Sequence, residues 1–187
     1  MAPQTSTRMT YEDYLELPDD GKRYEVIEGE LVVNASPIPR HQQIALRIGG
    51  RIDLYFENHG SGQVFVAPLD VVLADDVVLQ PDVMIVSAAR MQVVGPTHIH
   101  GAPDLVVEVL SDRTRKRDET VKRKLYERYG VNEYWIVDPA GNIVKIYRRD
   151  ADSFTRVSEI SIESGGMITS PLLPGFSLDI HDVFPRA

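Results

Sequence analysis

The sequence predicts a mixed α/β (α+β) fold in which helices flank a central mixed β-sheet. From Arg40 to Asn58, apolar residues recur at helical spacing, which predicts a long core-facing helix. Short apolar runs between prolines and polar turns predict strands at 63–66, 69–73 and 82–86. A further apolar run at 104–110 leads directly into a basic helix. The predicted core order is therefore α-β-β-β-α-β, preceded by an N-terminal β-hairpin.

The elements before the long helix are marked by capping and turn residues. Thr10 and Asp13 have the spacing of a capping arrangement, which predicts a short first helix. Residues 23–33 predict two strands around a turn at 28–29. The long helix is expected to end at Gly60, where a left-handed C-terminal cap fits.

The second half of the chain begins with a loop at 88–103, which is too irregular in sequence to predict an element. After the strand at 104–110, either Ser111 or Asp112 can cap a helix that runs to about Tyr129. Strands are expected at 134–137 and 143–147, and weaker ones at 154–157 and 167–169, before a C-terminal tail marked by proline and glycine.

Length, composition and charge limit the protein class. With 187 residues, we expect a single domain over 1–187 whose first nine residues form a flexible tail. The absence of cysteine excludes thiolate sites and agrees with a cytoplasmic location, and no apolar run predicts a membrane span or a signal peptide. Because the net charge is -8, any contact with nucleic acid has to come from a local basic patch.

Two carboxylates interrupt the apolar strands. Glu108 lies within the run Leu105–Leu110, where an ionised carboxylate needs a cation or hydrogen-bond donors. Asp82 follows Pro81 at the start of the preceding strand. Two carboxylates on neighbouring strands repel each other unless a cation lies between them, and such hard oxygen ligands suit Mg²⁺ or Mn²⁺. A nearby lysine would complete a site for hydrolysing a phosphodiester.

These residues resemble the PD-(D/E)XK nuclease superfamily, which includes type II restriction enzymes. The run EVLS at 108–111, the four-residue steps from Asp118 to Lys122 to Tyr126, and GVNEYWIVDP at 130–139 are similar to its Uma-two family of restriction endonucleases. The similarity covers a core of about 23–147. It implies a restriction-endonuclease-like fold and metal-dependent cleavage of DNA.

The lysine departs from the usual family motif. In that motif it lies two residues after the acidic residue, but here the position is Leu110. The resemblance implies a lysine that has migrated to the following helix, where Lys122 and Lys124 compete. Two positions rotate a helix by about 200°, so both cannot face the sheet. Val121, Leu125 and Tyr129 predict the buried stripe, and we favour Lys122, which flanks it.

The resemblance also implies roles for individual residues. Asp82, Glu108 and the backbone carbonyl of Val109 are expected to hold Mg²⁺ or Mn²⁺, and Lys122 to hold or deprotonate the attacking water. Supporting positions that match the family pattern, without an assigned role, are Glu25, His41, Gln42, Asp118 and Tyr126. The N-terminal part of the basic helix is expected to bind the phosphate backbone through Arg113, Arg115, Lys116 and Arg117.

Other interpretations of the same residues remain open. Mixed charges such as those at 112–128 are often only the solvated face of a helix. A catalytically inactive DNA-binding module would fit Leu110 and the acidic net charge, and an interaction protein would use exposed sheet edges to form a homodimer. No glycine-rich phosphate loop or dinucleotide fingerprint is present, so we expect no nucleotide cofactor.

Overall fold

The computed structural model of the protein describes residues 8–60 and 62–185. The predicted capping box is confirmed, because Thr10 and Asp13 bond each other's backbone N–H at the start of α1 (Tyr11–Leu15). The predicted hairpin consists of β1 (Arg23–Ile27) and β2 (Glu30–Asn34). The long helix α2 (Pro39–His59) ends at Gly60, which adopts the expected left-handed conformation with a φ of 58°.

Two residues of the expected N-terminal tail lie against the hairpin. The Met9 N–H donates to the Gly29 carbonyl (2.9 Å), and the Arg8 guanidinium donates to the Glu28 carbonyl. The hairpin turn thus supplies carbonyl partners for residues 8 and 9. Residues 1–7 of the expected tail lie outside the described residues.

Short strands fill the middle of the chain. They are β3 (Gly62–Val66), β4 (Val71–Ala74), β5 (Val77–Leu79), β6 (Val83–Ser87), β7 (Ile99–His100) and β8 (Leu105–Val109). The sequence did not predict β5, which forms after the polar turn at 75–76 and pairs with both β1 and β4. The region expected to be an irregular loop also contains a 3-10 helix (Ala88–Val93) and β7.

The helix that follows β8 is continuous but not uniform. It consists of α3 (Arg115–Arg117), a π-helical turn (Asp118–Lys122) and α4 (Arg123–Tyr129), and Gly130 ends it in the left-handed region. Residues 111–114 form a turn in front of the helix, so the expected cap at Ser111 or Asp112 lies too early. Thr114 is the N-cap and makes no side-chain capping bond.

The C-terminal third is mostly β-structure. It contains β9 (Glu133–Asp138), β10 (Ile143–Asp150), β11 (Ser153–Ser161), β12 (Met167–Ile168), β13 (Leu178–Asp179) and a short helix α5 (Ile180–Val183). The β10–β11 pair is longer than the sequence indicated, and the predicted tail contains β13 and α5.

Two larger sheets contain most of these strands, and β12 and β13 form a separate two-stranded sheet. One has the order β11-β10-β9-β8-β6-β3, in which β8 and β9 are parallel and the other neighbours are antiparallel. The other has the order β2-β1-β5-β4-β7. The first sheet is mixed, as predicted, and β8 lies in its interior.

The two faces of β8 pack against different parts of the protein. Leu105, Val107 and Val109 belong to the core cluster that also contains the buried side of α2. Val106 and Leu110 belong to a second cluster that includes Leu125 and Tyr126 of α4. Because side chains alternate along a strand, Glu108 faces the second cluster and the helix that carries Lys122.

We find no helix within residues 8–60 and 62–185 that combines the length and the apolar character needed to cross a membrane.

Candidate active site

Glu108 and Lys122 form a buried ion pair between β8 and the π-helical turn. The Lys122 Nζ donates to Glu108 Oε1 at 2.9 Å, and the hydroxyl of Tyr126 donates to the same oxygen at 2.7 Å. Both charged side chains are almost fully buried. Such a pair is tolerated in a protein interior only where further donors and acceptors satisfy it.

Glu25 of β1 holds Lys122 from the other side. The distance from Lys122 Nζ to Glu25 Oε1 is 2.8 Å, so the ammonium lies between two carboxylates that come from different sheets. Glu25 also accepts hydrogen bonds from the Gln80 backbone N–H (2.9 Å) and from Asn34 Nδ2 (2.8 Å). The family resemblance gave Glu25 a supporting position without a role, and the structure shows Glu25 in direct contact with Lys122.

Asp82 lies just before β6, beside the end of β8. Val83 pairs with Val107, and the backbone N–H of Val109 donates to Asp82 Oδ2 at 2.8 Å. His41, in the first turn of α2, places its Nε2 3.1 Å from the same oxygen. Arg23 NH1 lies 3.9 Å from the other oxygen, Oδ1. The two closest contacts therefore hold Oδ2, and among the described residues Oδ1 has only the more distant arginine.

The helix presents its functional residues at four-residue steps. Asp118, Lys122 and Tyr126 are all buried, and Asp118 Oδ1 lies 3.8 Å from the lysine Nζ. Lys124 is exposed. The predicted buried stripe was wrong at Val121, which is 38% exposed, because the π-helical turn changes which side chains face the sheet.

Three carboxylates surround the Lys122 ammonium, with Glu25, Glu108 and Asp118 at 2.8, 2.9 and 3.8 Å. Burial raises the pKa of Glu108 to about 8, with Asp118, Asp82 and Glu25 adding to the effect against the attraction of Lys122. Burial also raises the pKa of Asp118. Burial opposes ionisation of Lys122, but Glu108, Glu25 and Asp118 outweigh it and raise the lysine pKa above its usual value. Burial therefore dominates at the two carboxyl groups, and the surrounding carboxylates dominate at the lysine.

A cleft with a volume of about 710 Å³ opens over these residues. Its walls include the predicted residues Asp82, Glu108, Val109, Lys122, Asp118 and His41. Gln42 is exposed and is not among the lining residues, so the structure does not bring it to the cleft. Leu110, at the usual lysine position, is packed in the second core cluster.

The predicted backbone-binding residues fall into two groups. Arg115 forms a two-pronged ion pair with Asp138, with both N–O distances at 2.7 Å, and Arg117 contacts Asn34 and Glu25. Arg113 lines the cleft and has no hydrogen-bond or ion-pair partner in the described part of the chain. Lys116 is exposed and is not a lining residue.

Comparisons with known proteins identify the family and the fold of this chain. The family model for Uma2, described as "Putative restriction endonuclease", matches residues 11–181. The chain belongs to the Uma2 family. Among solved structures, a "putative nuclease belonging to DUF820 from Anabaena variabilis ATCC 29413" matches with a TM-score of 0.78 and 21% identity, over 94% of this chain and 97% of that one. The predicted restriction-endonuclease-like fold and the Uma-two resemblance are thereby confirmed. The search of curated proteins found no match.

Sequence reasoning missed polar residues that hold the Uma2 site together. Arg23 donates to the backbone carbonyl of Gln80 (3.0 Å) and to its side-chain Oε1 (3.2 Å). These bonds link β1 to the segment that leads into Asp82. Asn34 connects Glu25 to Arg117. The segments containing Arg23 and Gln80 carried a family signal, but Asn34 carried none, since its role depends on how the hairpin packs against the helix.

The donor set fits a hard divalent cation bound mainly by two carboxylates. No group of three or more histidine, aspartate or glutamate side chains in residues 8–60 and 62–185 has the geometry of a complete metal cage. Glu108 uses one oxygen for Lys122 and Tyr126, and no hydrogen bond engages its other oxygen in these residues. Mg²⁺ commonly takes one or two carboxylates and keeps several waters, so carboxylate oxygens without a hydrogen-bond donor in these residues suit it.

Proposed function

We propose that this Uma2 family member is a metal-dependent nuclease that hydrolyses phosphodiester bonds in DNA, with its active site at Asp82, Glu108 and Lys122. The observation that carries the proposal is the position of the Lys122 ammonium between Glu25 and Glu108, at 2.8 and 2.9 Å, in the cleft that Asp82 also lines. Membership in a family described as restriction endonucleases supports the reaction class.

The proposed ligands of Mg²⁺ or Mn²⁺ are Asp82, Glu108 and the carbonyl of Val109. The contacts of His41 and the Val109 N–H with Asp82 Oδ2 fix that carboxylate, and Oδ1 would be the oxygen available to hold the ion. When bound, the ion supplies Lewis-acid charge that stabilises the phosphoryl oxygens during displacement.

Lys122 is proposed to act as a cation and a donor. Its surroundings raise its pKa, so the side chain is charged at neutral pH in the structure described. The ammonium can therefore orient the attacking water through a hydrogen bond and offset the charge that builds up on the phosphate. The earlier alternative, in which Lys122 removes a proton from water, is the less favoured role in this environment.

Cleavage assays on purified protein test the assignment. We expect cleavage of DNA with Mg²⁺ or Mn²⁺ that is abolished by EDTA. Asp82→Asn and Glu108→Gln keep the side-chain shape, and we expect each to lower the rate by about a hundredfold or more, the range typical for loss of one catalytic electrostatic group. Lys122→Met should do the same.

Lys124→Met is the matched control, because it removes an exposed lysine two positions from Lys122 on the same helix. It should cleave at the unmodified rate. Circular dichroism spectra and melting curves of all variants separate lost chemistry from lost folding. Undiminished cleavage by Asp82→Asn, Glu108→Gln and Lys122→Met together would contradict the proposed site.

A further inference from the structure

The reacting groups of the proposed site lie at the bottom of the cleft. Asp82, Glu108 and Lys122 are each no more than 6% exposed, although all three line it. A scissile phosphate has to descend into the cleft to reach them. The volume of about 710 Å³ is that of a pocket for a small ligand, a few nucleotides at most.

A duplex presents its phosphates in a different way. The two strands enclose a major groove about 12 Å wide and a minor groove about 6 Å wide, and the bases are paired and stacked inside. Its backbone therefore lies on a broad convex surface. A strand that has left that surface can bring one phosphate down to the buried side chains in the cleft.

Part of the cleft wall is apolar and uncovered. The connection from β2 to α2, residues 35–38, lines the cleft. Within it Ile38 is 63% exposed, and Ala35 is also exposed. A surface that bound only a phosphate backbone would gain nothing from these side chains. The faces of unpaired bases are apolar surfaces of the kind that such side chains contact in nucleic-acid complexes.

Positive charge lies on the wall of the same cleft. Arg113 lines it without a partner in the described part of the chain, and Arg40 also lines it while donating to Asn142 Oδ1 at 2.7 Å. Cations for a backbone next to apolar side chains for bases make up the two-part surface that single strands bind. A cleft built for a small apolar molecule would not need the arginines.

We propose that the cleft takes an unpaired strand of DNA, with a base against Ile38 and the adjacent phosphate at Asp82, Glu108 and Lys122. The inference rests on the proposed nuclease function and assigns its substrate class. Single-stranded DNA supplies such a strand directly, and a duplex supplies one only where it contains unpaired nucleotides.

Three substrates of the same sequence test the proposal: a single strand, a blunt duplex, and a duplex with an internal unpaired loop. With Mn²⁺ present, we expect the single strand to be cleaved at least about tenfold faster than the blunt duplex. The looped duplex should be cut within its loop. Equal or faster cleavage of the blunt duplex would overturn the inference and leave the nuclease function standing.

Binding without catalysis separates the two proposals. Fluorescence anisotropy in EDTA measures the affinity of each substrate even if no cleavage occurs. Absence of cleavage on all three substrates would contradict the proposed function. Tighter binding of the single strand than of the blunt duplex would still support the substrate class, and equal or weaker binding would overturn it.

A substitution on the apolar wall locates the contact. Ile38→Ser supplies a side-chain cap that α2 lacks, so the variant is expected to fold. It should weaken binding of the single strand by about threefold to tenfold and leave binding of the blunt duplex unchanged. Leu46→Ser is the control, because Leu46 is 71% exposed on α2 but does not line the cleft. A single-strand affinity equal to that of the control would contradict the contact.

Discussion

Glu25 and Lys122 form a 2.8 Å ion pair that joins the first strand of one sheet to the helix that follows a central strand of the other. Gln80 and Asn34 hold the carboxylate in place, and Lys122 also contacts Glu108. Burial alone would raise the pKa of Glu25, but Lys122 and the two hydrogen bonds lower it, so the group is a carboxylate. Glu25 therefore fixes the position of the lysine without depending on a metal ion.

Glu25→Gln should lower the rate of DNA cleavage by about tenfold or more, which is the usual effect of removing a partner that orients a catalytic group. Glutamine keeps the shape and the hydrogen-bonding oxygen but loses the charge that faces the ammonium. Cleavage rates at saturating Mn²⁺ measure the change. Glu30→Gln, an exposed substitution on the neighbouring strand, is the control. Equal rates for the two variants would show that Glu25 does not position Lys122.

Arg113 should contribute more to DNA binding than the other basic residues of its segment. It lines the cleft unpaired within the described residues, whereas Arg115 is held by Asp138. Each phosphate contact adds about 0.7 to 0.9 to the slope of log affinity against log salt concentration. Arg113→Ala should reduce that slope by about this amount, measured by anisotropy between roughly 50 and 200 mM salt.

Lys116→Ala is the matched control, because Lys116 is an exposed cation in the same segment that does not line the cleft. Its slope should stay close to that of the unmodified protein. A larger change in slope for Lys116→Ala than for Arg113→Ala would mean that the DNA backbone contacts the outer face of the helix. It would contradict a DNA backbone that runs along the cleft.

Local patterns were predictable from the sequence, and pairings between distant segments were not. The period of α2 and its cap at Gly60 depend on neighbours within a few residues, and both were predicted correctly. The short strand β5 depends on partners in β1 and β4, so its three residues carried too little signal alone. The contact of Glu25, on β1, with Lys122 likewise depends on how segments distant in sequence pack together. Sequence reasoning could therefore name Glu25 as supporting but could not assign its partner.

The π-helical turn shows where helical periodicity fails. A uniform α-helix predicts that Val121 and Leu125 share the buried face, but Leu125 is buried and Val121 is 38% exposed. Leu125→Ala should reduce the free energy of unfolding by about 2 to 5 kcal/mol through the cavity it leaves. Val121→Ala should change it by less than about 0.5 kcal/mol, as is usual for surface positions. Urea unfolding measures both values. Comparable losses for the two variants would contradict the conclusion that the π-helical turn removes Val121 from the buried face.

The ion pair between Arg115 and Asp138 predicts a stability difference that depends on pH. The hydrogen bonds from Arg115 lower the pKa of Asp138 to about 2, despite some burial, and the Gly141 and Ala140 N–H groups lower it further. A carboxyl whose pKa is lower in the folded state stabilises the protein above its ordinary pKa, and this stabilisation is lost as the pH falls through the folded value.

Asp138→Asn should therefore reduce the free energy of unfolding by about 1 to 2 kcal/mol at pH 7, a value reduced for solvent screening around the partly exposed Arg115. The deficit should shrink as the pH falls from about 4 towards 2, because the unmodified protein then loses its carboxylate as well. Urea unfolding at several pH values measures the difference. Asp19→Asn, an exposed substitution, should show no such trend. A deficit for Asp138→Asn that stays constant over this range would mean that the hydrogen-bonding shape, not the charge, joins the helix to the end of β9.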